Sequence, residues 1–321
     1  MSVDGLTWVI GAGGLLGRHV VRRLEESGSL VLTQNIPWGD PAGTRAALSE
    51  GLDALTRLTG DGAWNVVWCA GAGVVATPQE VLERERAVFD AFLANLARRP
   101  AAGPRGAFFL ASSAGGVYAG SDGPPFSEKT QPRPLAPYGF VKLAMEDALA
   151  TLARATGMRA FVGRVANLYG PGQNLSKPQG LVSQLCKARF TGQPVSIYVQ
   201  LDTLRDYLPV ADCADMVVAG ISGLRRLPAT VDDPVVVKIL ASGRSTSIAG
   251  LIEETRRVLR ARPHVLLGAS RVASAQSRDL RLRSVVWPEL DRYARTPLPV
   301  GIAATAADVQ QRLRARRTIA P

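Results

Sequence analysis

Hydrophobic and polar positions follow two periods along this chain, and over its first half the two take turns. Short apolar runs read as strands buried on both faces: Thr7-Trp8-Val9-Ile10, Ser29-Leu30-Val31-Leu32-Thr33, Asn65-Val66-Val67-Trp68, Ala107 to Ser112 and Arg159 to Asn167. Between them lie runs with apolar residues at helical spacing: Leu15 to Glu26, Thr44 to Leu58, Thr77 to about Arg98, and Tyr138 to Thr156. The third of these opens on Thr77-Pro78-Gln79-Glu80, a capping box with proline at the first helical position. Such alternation predicts an α/β fold, a doubly wound parallel sheet with helices on both faces.

From Tyr169-Gly170-Pro171-Gly172 onward the elements shorten and the turns grow more polar. The pattern predicts a helix from Pro178 to Thr191, a strand from Val195 to Val199, and a helix Cys213 to Leu224 capped by Asp212. One more sheet strand follows at Pro234 to Leu240, then a helix from Ser247 to about Arg260. The arginine-rich stretch Arg271 to Arg317 is expected to join Gly170 to Arg205 in a smaller lobe over the carboxyl edge of the sheet. The expected division is 1–175, completed by about 207–243, for the sheet domain, and 176–206 with 244–321 for the lobe.

A chain of 321 residues, 46% of them hydrophobic, can bury a full core. No apolar run is long enough to span a membrane, and the first strand follows Met1 too closely for an export signal, so a cytoplasmic protein is expected. Three widely spaced cysteines, Cys69, Cys186 and Cys213, suit a reducing compartment, and with only His19 and His264 besides there is no metal-site spacing. The net charge of +11 raises nucleic acid as a partner. The arginines are spread along the whole chain with no interleaved aromatic platform, which argues against it and leaves an anionic small substrate.

Candidate chemistry sits where strands end. Gly11, Gly14 and Gly17 are spaced three apart between the first strand and first helix, with Leu15 and Leu16 opening that helix. Such a loop lets backbone N–H groups approach a pyrophosphate, the mark of a Rossmann-type dinucleotide site. At the end of the second strand, Thr33-Gln34-Asn35 stands where an acidic residue would favour NAD and an arginine NADP, which leaves the two open; NAD is expected, with NADP not excluded, because the shortened loop that follows leaves little space for an added phosphate. Ile36-Pro37-Trp38-Gly39-Asp40 then leads at once into a helix, so a strand and loop usual in such folds are shortened or missing. Cys69-Ala70-Gly71 ends another buried strand in small residues that let backbone pass close to a cofactor. Tyr138 and Lys142, four apart on one helical face, can work as a pair: a fixed ammonium favours the phenolate form of a nearby phenol.

Taken together, these features come in a fixed order with Ser112-Ser113-Ala114-Gly115-Gly116-Val117-Tyr118, Arg164-x-x-Asn167-x-Tyr169-Gly170-Pro171-Gly172, Lys177-Pro178-Gln179-Gly180-Leu181, Arg205-Asp206-Tyr207 and Ser242 to Ser247. The set resembles the extended short-chain dehydrogenase/reductase superfamily, the nucleotide-sugar epimerases and dehydratases, from residue 7 to about 302. The resemblance implies a catalytic trio of Ser113, Tyr138 and Lys142. Counting from Val117-Tyr118 lands on Ala114 instead, and Ser112 is the understudy. It implies that Asp40 contacts the adenine of the cofactor, and that Ser112, Ser113, Tyr138, Asn167, Leu181 and Arg205 face the substrate. An arginine among Arg271, Arg278 and Arg281, Arg271 first, would assist on the nucleotide diphosphate. A homodimer through Val81 to Arg98 and Tyr138 to Thr156 is also implied.

The family members share a first step, removal of a sugar hydroxyl proton with hydride transfer to the cofactor. Dehydratases of the family carry an acidic pair after the hydroxyl residue and decarboxylating relatives a glutamate; Ala114-Gly115-Gly116 supplies neither. The epimerase-reductases use a cysteine and a histidine, whereas His19 and His264 read as structural or solvated. The implied reaction is therefore epimerisation at C4 of a nucleotide-diphosphate sugar, through a keto intermediate that rotates before reduction. A reductase or dehydrogenase of a nucleotide-linked or other small carbonyl needs the same residues, and a non-catalytic NAD(P)-binding protein is the reading from another class.

Overall fold

The computed structural model describes residues 2–99, 103–177, 179–228, 232–268 and 277–319. In chain order the first half runs β1 (Leu6–Ile10), α1 (Leu15–Glu26), β2 (Val31–Thr33), α2 (Pro41–Thr59), β3 (Trp64–Trp68), α3 (Gln79–Ala97), β4 (Gly106–Ser113), the single turn α4 (Ala114–Val117), α5 (Pro137–Thr156) and β5 (Arg159–Val165). The second half runs β6 (Asn167–Tyr169), α6 (Leu181–Thr191), β7 (Val195–Ile197), β8 (Leu204–Pro209), α7 (Val210–Arg226), β9 (Val235–Leu240), β10 (Ser245–Ser247), α8 (Ile248–Leu259), β11 (Val265–Leu267) and α9 (Leu298–Ile319).

Six strands form one sheet in the order β2-β1-β3-β4-β5-β9, every pairing parallel. This is the expected α/β fold. The side-chain period of two sends neighbouring residues to opposite faces. Val9, Val67, Phe109 and Phe161 join one core with α1 and α7, while Trp8, Trp68, Phe108 and Val162 join the other with α2, α3 and α5. Both faces are covered, which is why the strands read as continuous apolar runs. The sheet ends at the three-residue β2, in keeping with the short passage from Thr33 to Asp40.

A third core lies beyond the carboxyl edge of the sheet. Val182, Leu185 and Cys186 of α6, Leu251 of α8 and Ile302, Ala306 and Val309 of α9 pack on Tyr169 and Tyr207. Two small sheets serve this region, β10-β8-β6 and β11-β7.

Several local expectations are corrected. Asn167 does not continue β5; it starts β6, which leaves the main sheet and pairs with β8 at Tyr207. Thr77 closes no capping box: its hydroxyl accepts the Val74 N–H at 2.8 Å, so Pro78 is the N-cap and α3 starts at Gln79. Asp212 caps nothing either, because α7 already begins at Val210 and the Asp212 carboxylate takes the N–H and hydroxyl of Thr296 at 2.8 and 2.7 Å. Helix α6 starts at Leu181 after Gly180, whose φ of 79° turns the chain. Asp40 and Ser247 do cap α2 and α8, accepting the N–H groups of Ala42 and Gly250. No helix among the described residues is long and apolar enough to cross a membrane.

Candidate functional site

Three chain segments meet at the carboxyl ends of β1, β3 and β4. The first is the glycine loop. Gly11 has φ of 84°, and a Cβ there would sit 2.7 Å from the Ala70 nitrogen, so glycine alone lets the β1 and β3 ends approach. Gly14 is the N-cap of α1 with no side-chain cap, and no acidic residue stands in the first turn. The first N–H groups of α1, among them those of Leu15 and Leu16, are thus left for an anion at the positive end of the helix. Space around Gly13 is open, with nothing within 4 Å of where its Cβ would lie, so a pyrophosphate group fits this loop. Arg18 leans back over it, its Nη2 donating to the Gly13 carbonyl at 2.6 Å.

The second segment is Cys69-Ala70-Gly71 after β3. The third is β4 with α4 and α5. Helix α5 buries Val141, Met145, Leu149 and Ala153 against the sheet, and that stripe fixes how Tyr138 and Lys142 face. The Lys142 ammonium lies 5.8 Å from the centre of the Tyr138 ring, and its side chain is 6% exposed. Gly116 of α4 packs under the same ring: a Cβ there would be 2.9 Å from the ring edge.

The two adjacent serines do different things. Ser113 is half-buried and caps α4, its Oγ accepting the Gly116 N–H at 3.2 Å. Ser112 is buried and its hydroxyl donates to Glu146. Glu146 in turn takes Arg164 at 2.7 Å, and Arg164 Nη1 donates to the Tyr118 hydroxyl at 2.6 Å. Burial alone would lower the Arg164 pKa, but the hydrogen bonds and charge of Glu146 outweigh it and the net direction is upward. Burial pushes the Tyr118 phenol up, so it stays protonated.

Sequence reasoning missed Glu85. It falls on the buried stripe of α3 between Leu82 and Phe89, and its carboxylate accepts the Lys142 ammonium at 3.4 Å. The signal was available, since a charged residue at i+3 from one buried apolar position and i−4 from the next must find a partner.

On the lobe side, Asn167 is exposed at the start of β6 and Leu181 is half-buried at the start of α6. Arg205 is buried on β8, which lowers its pKa, and its Nη1 donates to the Leu204 carbonyl at 2.8 Å. Of the acids around it, Asp202 forms an ion pair with Arg278, Asp206 accepts the Ser242 N–H at 2.8 Å, and the charge of Asp279 acts on Arg205 against the effect of its burial. Arg281 pairs with Asp279 at 2.8 Å, and Arg271 lies outside the described residues. Thr33 is exposed at the end of β2, beside Gln34, whose amide oxygen is buried with no partner among the described residues. His19 is buried and bonds the Pro171 carbonyl at 3.1 Å, while His264 is exposed.

A doubly wound parallel sheet, an uncapped glycine loop at its first helix and a Tyr/Lys pair at its carboxyl edge define a dinucleotide-fold protein of the extended short-chain type. Residues 7–229 match the family model for the NAD dependent epimerase/dehydratase family, and the chain belongs to that family. A dTDP-L-rhamnose 4-epimerase of Burkholderia thailandensis is 32% identical over 126 residues, 39% of this chain and 33% of that protein. The chain thus spans about a third of the length of this relative. A UDP-glucose 4-epimerase of Streptomyces lividans is 27% identical over 281 residues, 80% of this chain and 82% of that one. Among solved structures, MoeE5 in complex with UDP-glucose and NAD superposes with a TM-score of 0.79 at 24% identity, covering 96% of this chain and 99% of that chain.

Proposed function

We propose that the chain is an NAD-dependent epimerase of nucleotide-diphosphate sugars that inverts C4 by oxidation, rotation of the keto sugar and reduction from the opposite face. One observation carries this reading. Tyr138 and Lys142 face the carboxyl edge together, while the position after Ser113 is the fully buried Ala114, with two glycines following, so elimination has no acid or base there.

In this reading Tyr138 takes the proton of the C4 hydroxyl and later returns it, with Ser113 hydrogen-bonding the same oxygen. Lys142 stabilises the phenolate. NAD, when bound, supplies the hydride acceptor for the oxidation and the donor for the return. Gly11, Gly14, Leu15, Leu16 and Gly17 would hold its pyrophosphate, Thr33 and Asp40 its adenosine end, and the backbone at Cys69, Ala70 and Gly71 would pass beside it. Asn167, Leu181 and Arg205 would hold the nucleotide diphosphate. Ser112 serves the site indirectly, because its hydroxyl is committed to Glu146. The sheet domain is the cofactor half and the third core the substrate lobe.

We also assign a homodimer through α3 and α5, in the cytoplasm. Phe140 and Val81 are exposed on these two helices, and Gln79, Arg86, Pro137 and Val141 line a groove beside Phe140. Sedimentation of the wild type should give twice the chain mass, and Phe140→Glu the single chain.

The test of the activity is incubation of the NAD-loaded protein with UDP- and dTDP-hexoses. C4 epimers should interconvert with no net NADH. Accumulating NADH would indicate a dehydrogenase, and cofactor binding without turnover a binding protein.

A further inference from the structure

We propose that Glu85 is a positioning residue for the Tyr138/Lys142 pair, acting through Lys142: it fixes the ammonium and offsets part of its charge. The catalytic meaning of this rests on the reading of Tyr138 and Lys142 as the reacting pair.

The geometry is specific. One carboxylate oxygen of Glu85 takes the Lys142 ammonium at 3.4 Å, and the other takes the backbone N–H groups of Ala72 and Gly73, each at 3.2 Å. The two side chains are 17% and 6% exposed. Gly71, just before this turn, has φ of 143°; a Cβ there would stand 2.7 Å from the Glu85 carboxylate and 3.3 Å from the Lys142 ammonium. A single carboxylate therefore ties together α3, the loop after β3 and the amine on α5.

All three partners are donors, so the carboxylate is used purely as an acceptor. An amide cannot replace it. With its oxygen on the backbone N–H groups, a glutamine would turn its NH₂ towards the ammonium; with its oxygen on the ammonium, the NH₂ would meet the two backbone donors.

Other charges near the pair are already spoken for. Glu146, one turn along α5 from Lys142, is held by Arg164 of β5 and Ser112 of β4. Asp147 is exposed, and Glu83 and Arg86 of α3 face the outer groove. Tyr118 bonds Arg164, and α4 contributes only Ala114, Gly115, Gly116 and Val117. Glu85 is thus the carboxylate that faces the Lys142 amine. Removing its charge leaves the ammonium uncompensated beside Tyr138, 5.8 Å from its ring centre, and an uncompensated positive charge so placed favours a phenolate.

The test is an ultraviolet phenolate titration of the cofactor-free protein, with the Tyr138 signal isolated by subtracting Tyr138→Phe in each background. In Glu85→Gln the signal should move about one unit towards lower pH, with Glu85→Ala as the second variant giving the same direction. In a Lys142→Met background Glu85→Gln should move it far less. Curves that overlay the wild type in both single variants overturn the proposal. An equal displacement with and without Lys142 also overturns it, because the carboxylate would then act on the phenol directly. The titration needs neither cofactor nor sugar, so failure to epimerise any substrate would sink the functional reading and leave this result standing.

Discussion

The corner around Tyr138 and Lys142 and the corner around Arg205 are built by different means. In the first, both reacting side chains come from one regular element: α5 buries a full apolar stripe, and the spacing of four along a helix puts phenol and amine side by side. The second is assembled from pieces. Arg205 sits on a six-residue strand whose surroundings come from Asp279, bridged to Leu204, from the Ser242 loop held by Asp206, and from the Arg278–Asp202 pair across 76 residues. A corner set by one helix should tolerate loss of a side chain without losing its shape. A corner made of separate loops couples binding to how those loops are held.

The sharpest break in that contrast is Tyr138→Phe. The ring keeps its packing on Gly116 while the phenol is gone, so kcat should fall about 10²–10⁴-fold, with the NAD dissociation constant nearly unchanged. Turnover within a few-fold of wild type would remove Tyr138 from the chemistry. Glu146→Ala asks whether the helix corner is as stiff as argued. It strips the partner from buried Arg164 and from Ser112, and breaking one side of a buried pair costs about 3–5 kcal/mol, to be read as a drop in unfolding free energy in urea. A loss below about 1 kcal/mol would mean that water takes the place of the carboxylate.

Arg205→Ala probes the other corner. If Arg205 holds the substrate diphosphate, KM should rise by the equivalent of about 2–4 kcal/mol with kcat changing much less. An unchanged KM would place the diphosphate elsewhere.

The same contrast explains what the sequence disclosed. The alternation of buried strands and helices, the pairing of Tyr138 with Lys142 and the helix start at Ser247 all rest on short-range pattern, which a linear reading sees. Asn167 leaving β5 for β8, and Asp212 bonding Thr296 84 residues away, rest on partners that no local pattern names. Ser112 and Ser113 look alike in the sequence and are separated only by strand alternation, which buries one against Glu146 and leaves the other half-exposed as a helix cap. Glu85 was legible in principle as an acid in an apolar stripe, but its partner Lys142 is 57 residues away.

The smallest expected effect concerns the cofactor, and it lies on the sheet edge farthest from both corners. The sheet stops at β2, and the exposed Thr33 and Asn35 flank Gln34, whose buried amide oxygen points back near Gly51 of α2. A carboxylate at this strand end would take the ribose hydroxyls and repel a 2′-phosphate, and an arginine would attract one. Neutral side chains do neither strongly. NAD should therefore bind more tightly than NADP by less than about tenfold, or about 1.4 kcal/mol, in calorimetry on cofactor-stripped protein. Thr33→Asp should widen that preference several-fold, by tightening NAD and weakening NADP. Tenfold tighter binding of NADP to the wild type would overturn the assignment and shift weight to a reductase, because a catalyst that returns its own hydride draws nothing from the reducing NADP pool.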